Sequence, residues 1–118
     1  MPTFAYAIPI ISGKLEAWRR FLQEMTGSRR LEYEASRHRL GMFREVIWLV
    51  PSYNAGLIIW SHETATREEV WPKLAASAEP FDRWLKRQMF ELHHLDAAEG
   101  VSPKRCEQVL VWQASLID

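Results

Sequence analysis

The chain has 118 residues, which fits a single domain (1–118) with a real hydrophobic core and no need of covalent staples. Lys plus Arg number 15 and Asp plus Glu number 15, so there is no basic excess of the kind that nucleic acid or an anionic membrane rewards. With 47% hydrophobic and 25% charged residues the composition is globular, which excludes a disordered chain.

A single cysteine, Cys106, cannot close an intramolecular disulfide, and a structural zinc site needs several cysteines and histidines at short spacing. No metal or cofactor is therefore expected, and the setting is read as reducing. The opening MPTFAYAIPIISGK lacks the basic segment and long apolar run of a signal peptide, and nothing approaches the ~20 apolar residues of a membrane helix. The expectation is a soluble, cytoplasmic protein.

TFAYAIPI, residues 3–10, sets Phe4, Tyr6 and Ile8 on alternate positions, a strand signal. Leu15, Trp18, Leu22 and Met25 then recur at spacings of three and four, predicting an amphipathic helix opened by Ser12 and closed at Gly27. Residues 28–41, SRRLEYEASRHRLG, are helical in propensity with a thin apolar stripe. Arg30 with Glu34 and Glu34 with His38 are four apart and can pair. One reading is a solvated helix; the sharper one puts Arg37 or Arg39 at the mouth of an anion-binding pocket.

FREVIWLVP and GLIIWSHE predict two strands joined by a hairpin loop slightly longer than the tightest class, with Asn54 and Gly56 as turn formers. Thr66 and Glu69 have capping-box spacing, and Pro72 restarts or kinks the helix they would open. Pro80 suits a first helical position, and from there to about Leu95 the residues Phe81, Trp84, Leu85, Met89 and Leu92 form one broad stripe. DAAEGVSP reads as a loop and KRCEQVLVWQA as a last strand. No internal repeat or low-complexity stretch interrupts this order.

The order reduces to β-α-β-β-α-β with split crossover helices, an α+β, ferredoxin-like arrangement with a four-stranded antiparallel sheet. A sheet covered on one face should alternate apolar and polar residues, yet VIWLV, LIIW and VLVW are apolar on both sides. Helices cover one face, and a second copy is the expected cover for the other, giving a homodimer through the sheet face.

Length, element order, the doubly apolar strands and the Trp-bearing hairpin resemble the dimeric α+β barrel superfamily. It includes antibiotic-biosynthesis monooxygenase-like, muconolactone-isomerase-like and haem-degrading proteins. Within it, SRRLEYEASRHRLGMFREVIWLV and EPFDRWLKRQMFELHHLD are similar to small, functionally unassigned bacterial members. The likeness covers most of the chain and includes no diagnostic catalytic motif. It implies a small-molecule pocket between sheet and helices in each protomer. Tyr6, Glu45, Trp48, Trp60 and His62 are then the candidate lining residues, with Arg39 as a further ligand contact.

Glu45 is an acid on an apolar strand, a candidate general acid or base, or else the partner of a nearby arginine such as Arg44 or Arg39. His62 ends its strand, where exposure is expected. In FELHHLD the two histidines are adjacent, so they diverge by ~100° around a helix and make a poor chelate. His93 falls at the border of the apolar stripe with Asp96 three residues on, placed to orient its imidazole for acid-base work. A histidine that only favours the helix dipole is the alternative.

The functional expectation is a homodimer binding a small apolar or aromatic compound, acting on it as a cofactor-independent isomerase or monooxygenase-like enzyme. A non-catalytic ligand-binding or assembly module with a Trp-filled interior is the alternative. By the resemblance, haem binding or degradation is another, with Trp60 and His93 in family roles; the lone asparagine, Asn54, lies in the hairpin loop.

Overall fold

The computed structural model describes residues 3–115. It is an α+β fold in the order β1 (Thr3–Ile10), α1 (Leu15–Thr26), α2 (Arg30–Arg39), β2 (Met42–Ser52), β3 (Ala55–Thr64), α3 (Trp71–Ala76) and α4 (Pro80–His93), ending in a 3-10 turn, Ala97–Glu99. The three strands form one antiparallel sheet in the order β1-β3-β2. Among the described residues, no helix is long and apolar enough to cross a membrane.

Several local signals act differently from their sequence reading. Ser12 caps nothing: Lys14 precedes α1 and makes no side-chain cap. The β2–β3 turn is only Tyr53–Asn54, because Ser52 pairs with Ala55 and Gly56 already lies in β3. Asn54 takes the left-handed φ of 47° that closes it. Thr66 opens no helix; its hydroxyl accepts the Glu68 N–H in a local turn, and α3 starts at Trp71 with Pro72 in its first turn. Gly41, at φ 78°, reverses the chain between α2 and β2 as expected.

Register decides which side chains share a face. Tyr6 pairs with Trp60 and Ile8 with Ile58, while β2 sets Glu45 against His62, Ile47 against Trp60 and Leu49 against Ile58. Cross-strand partners project to the same side, so these residues form the inner face. Against it lie Trp18, Phe21 and Met25 of α1 and Trp84, Leu85, Met89 and Leu92 of α4, all buried. Aromatic rings knit the core: Phe21 and Phe81 each stand 5.4 Å from Trp84, and Tyr6 and Trp60 meet Trp71 edge-on at 5.3 and 5.7 Å. Such pairs add about 0.5–1.5 kcal/mol each beyond their burial.

The opposite face carries Ala5, Ala7, Val46, Trp48, Val50, Leu57 and Ile59, with Trp48 54% exposed and Val50 58%. Among the described residues no helix covers the Trp48 and Val50 part of it.

The expected last strand is the main difference. Only a bridge forms, Tyr6 opposite Arg105, with Ala7 N–H donating to Lys104 (3.1 Å) and Cys106 N–H to Ala5 (2.7 Å). Residues 107–115 have no regular structure and are exposed. An antiparallel continuation from that bridge sets Gln108 opposite Thr3, the first described residue of β1, so among the described residues VLVW has no strand beside it in its own sheet.

A second unanticipated feature ties the helices together. Asp82, in the first turn of α4, is fully buried and accepts hydrogen bonds from Ser36, Ser77 and Arg39 (3.1 Å for Arg39). Burial by itself would raise its pKa, but the Ser36 and Ser77 hydroxyls and the Arg39 guanidinium outweigh it and hold the carboxyl below its ordinary value. Lys86, one turn on, donates to the carbonyls of Ala75 and Ser77 at the end of α3. A depressed carboxyl pKa contributes stability that is fully present above the unfolded value of about 3.9 and is lost as pH falls through the folded one. Asp82→Ala is expected to cost about 3 kcal/mol at neutral pH, since it strands buried donors. In urea titrations the gap between wild type and variant should narrow below about pH 4; a gap independent of pH would refute the assignment.

Candidate functional site

The polar groups of the inner face gather at the Glu45 end of the sheet. Helix α2 presents Tyr33 and Arg37, four residues apart and so on one side of the helix, toward the start of β2. Glu45, its side chain 6% exposed, accepts from the Tyr33 hydroxyl and from Arg37 Nε (2.9 Å) on Oε1, and from Trp60 Nε1 (2.6 Å) on Oε2. Arg37 is buried too, and its guanidinium stands 4.6 Å from the Tyr33 ring centroid. Burial first, and the neighbouring Glu45 next, push the Tyr33 phenol up to about 12.

Glu45 is therefore the carboxylate half of a buried ion pair, and its partner is Arg37, not Arg44 or Arg39. Arg39 is engaged elsewhere, on Asp82. Tyr33 was overlooked in the sequence, although its spacing from Arg37 and the acid just beyond Gly41 were the available signal.

His62 sits beside this pair and is not exposed. β3 runs on to Thr64, leaving His62 an interior strand residue with 1% exposure, its ring 5.5 Å from Tyr6 and 5.7 Å from Phe4. Burial lowers its pKa; the Glu45 and Glu69 charges oppose that and Arg37 reinforces it. Neither His62 nitrogen has a hydrogen-bond partner among the described residues, nor do Arg37 Nη2 and Trp71 Nε1. Each such group costs roughly 1–3 kcal/mol. Tyr6 is held differently: its hydroxyl donates to Glu69 (2.7 Å), and burial and that carboxylate raise its pKa.

Next to the cluster a cavity of about 240 Å³ opens to solvent, lined by Tyr33, Glu34, Arg37, His38, Met42, Phe43, Arg44 and Glu45. Glu34 is committed to Arg30 (3.0 Å) and Glu45 to Arg37, while Arg44 has no ion-pair partner among the described residues. The uncompensated charge at this mouth is positive.

The expected pocket between sheet and helices is closed. Trp18, Phe21, Met25, Ile47, Ile58, Trp60, Met89 and His93 leave about 10 Å³, room for roughly one water. His93 is half-buried, its Nδ1 2.8 Å from the Pro9 carbonyl, and burial lowers its pKa against that hydrogen bond. Asp96 does not orient it; its carboxylate accepts the Glu99 N–H and caps the 3-10 turn. His94 ends α4 in the left-handed conformation, φ 53°, so the adjacent histidines diverge. Among the described residues no three His, Cys, Asp or Glu side chains are placed to hold a metal.

Of the candidate residues the fold thus brings Glu45, Trp60, His62 and Tyr6 together. Trp48 is on the other face of the sheet, and His93, Asp96 and Arg39 belong to separate contacts. No family model and no curated protein matches the sequence.

A buried histidine with a depressed pKa contributes stability that is fully present above its unfolded value near 6.5 and is lost as pH falls below it. His62→Phe, which replaces unpartnered nitrogens by an apolar ring, should be near neutral at pH 8 and should flatten the decline in stability from pH 6.5 to 5. Chemical denaturation at the two pH values reads both; an undiminished acid slope would contradict the role given to His62.

Proposed function

We propose that the protein is a homodimeric small-molecule binder of the dimeric α+β barrel type, with a ferredoxin-like sheet. Its ligand site is the cavity at the Arg37–Glu45 end of that sheet. The observation that carries this reading is the buried Arg37–Glu45 pair on the wall of a cavity whose surplus charge is positive. Arg44 at the mouth favours an anion. The ligand class is a small carboxylate with an apolar or aromatic body that packs on Tyr33, Met42 and Phe43.

The geometry favours binding over catalysis. Three donors already occupy the Glu45 oxygens, which suits a fixed anchor better than a base that must reach a substrate proton. At His93 the space of about 10 Å³ admits no substrate, and a haem is larger still. That filled interior supports the module reading over a cofactor-independent isomerase or monooxygenase-like enzyme. Support for the dimer comes from the uncovered apolar face around Trp48 and Val50, since patches of that kind mark association.

Titrating a panel of small aromatic and aliphatic carboxylates while following the tryptophan indole resonances tests the site. A binder should move the Trp60 indole signal, and Arg44→Ala should weaken it several-fold without altering the fold, as expected for an exposed steering charge. Perturbations confined to other parts of the chain, or none with any panel member, would overturn the assignment.

A further inference from the structure

The segment after Cys106 is a strand sequence without a sheet. Val109, Leu110, Val111 and Trp112 are 83, 82, 65 and 81% exposed, and among the described residues no hydrogen bond ties Glu107–Trp112 to the rest of the chain. β-branched and aromatic residues favour strands, and four apolar residues in a row suit one buried on both sides. Left in water, such a segment loses the burial it is built for and exposes its backbone to any open edge.

Its root is nevertheless fixed. Arg105 pairs with Tyr6, and its guanidinium lies 3.5 Å from Glu69, the carboxylate that takes the Tyr6 hydroxyl. The segment therefore leaves the domain in a set direction, past the start of β1. The radius of gyration, 15.2 Å with a long axis of 49 Å, exceeds the about 13.5 Å expected of a compact chain this long.

The same chain has a sheet edge without a strand. In the order β1-β3-β2, Lys104–Cys106 meets the outer edge of β1 at Ala5–Ala7, while among the described residues β2 pairs only with β3. Between Arg44 and Pro51 that open edge has no proline, and its outer face shows Val46, Trp48 and Val50. At ~3.3 Å per residue the six steps from Cys106 to Trp112 span about 20 Å, enough to cross the ~10 Å between two stacked sheets.

We propose that Glu107–Gln113 is an exchanged strand: in the dimer it crosses to the second copy and adds to the edge of the partner's β2. Each copy supplies one strand and accepts one, so the exchange closes under two-fold symmetry. It also places Leu110 and Trp112, or Val109 and Val111, over the apolar outer face. The inference rests on the dimer proposed above, but a dimer held by the sheet faces alone would not require it.

The full chain is co-refolded from equal amounts of carbon-labelled and nitrogen-labelled protein, and contacts between copies are selected by isotope-filtered NMR. Contacts from the amides of Val109–Trp112 to Val46–Val50 of the other copy are expected. Val109→Pro with Val111→Pro, which removes two strand donors, should weaken the dimer at least about tenfold in sedimentation and leave the domain's circular dichroism unchanged. A stable dimer without those contacts, or one the prolines do not weaken, overturns the exchange and leaves the face-to-face dimer standing. A wild-type monomer at high micromolar concentration overturns both.

Discussion

The Glu45 carboxylate links three consecutive elements of the chain. It is on β2, it accepts from Tyr33 and Arg37 of α2, and it takes the indole N–H of Trp60 on β3. Two charges that leave water together lose several kcal/mol of hydration each, and only good geometry and further hydrogen bonds recover it. Here the angle of α2 to the sheet and the register of β2 with β3 must both be right for the four side chains to meet. The cost of a wrong arrangement is therefore an unpaired buried charge, which makes the pair a stronger determinant of specificity than of net stability.

The Asp82 cluster does the same for the helices. It joins the end of α2 to the start of α4, and Lys86 closes the last carbonyls of α3 one turn further on. With the C-terminal turn of α2 held on two sides, by Arg37 to the sheet and by Ser36 and Arg39 to α4, the interior between sheet and helices is left to tryptophans and aliphatic residues and closes almost completely. The cavity of the proposed ligand site lies outside that filled interior, beside Arg37. The proposed ligand site and the filled core are two consequences of one polar frame.

The outer half of the sheet follows a different logic. Its apolar face and the VLVW segment are both exposed, and they are complementary in kind, which is the basis of the exchange between copies proposed above.

Much of this was legible in the residues. Period-two and period-3.6 patterns placed all three strands of the sheet and helices α1, α2 and α4 to within a few residues, and the doubly apolar strands announced an uncovered face. Local signals failed where another partner took the side chain: Glu69 bonds to the distant Tyr6 instead of capping a helix, and Asp96 caps its own 3-10 turn instead of orienting His93. The sequence by itself determined the three strands, helices α1, α2 and α4 and the apolar demand on both sheet faces, because these depend on neighbours a few positions apart. Only the tertiary structure decided that Arg37 and not Arg39 meets Glu45, that His62 is interior, that the pocket by His93 is closed, and that residues 107–115 take no regular structure. Each depends on register and helix rotation, which bring together residues that no local pattern relates.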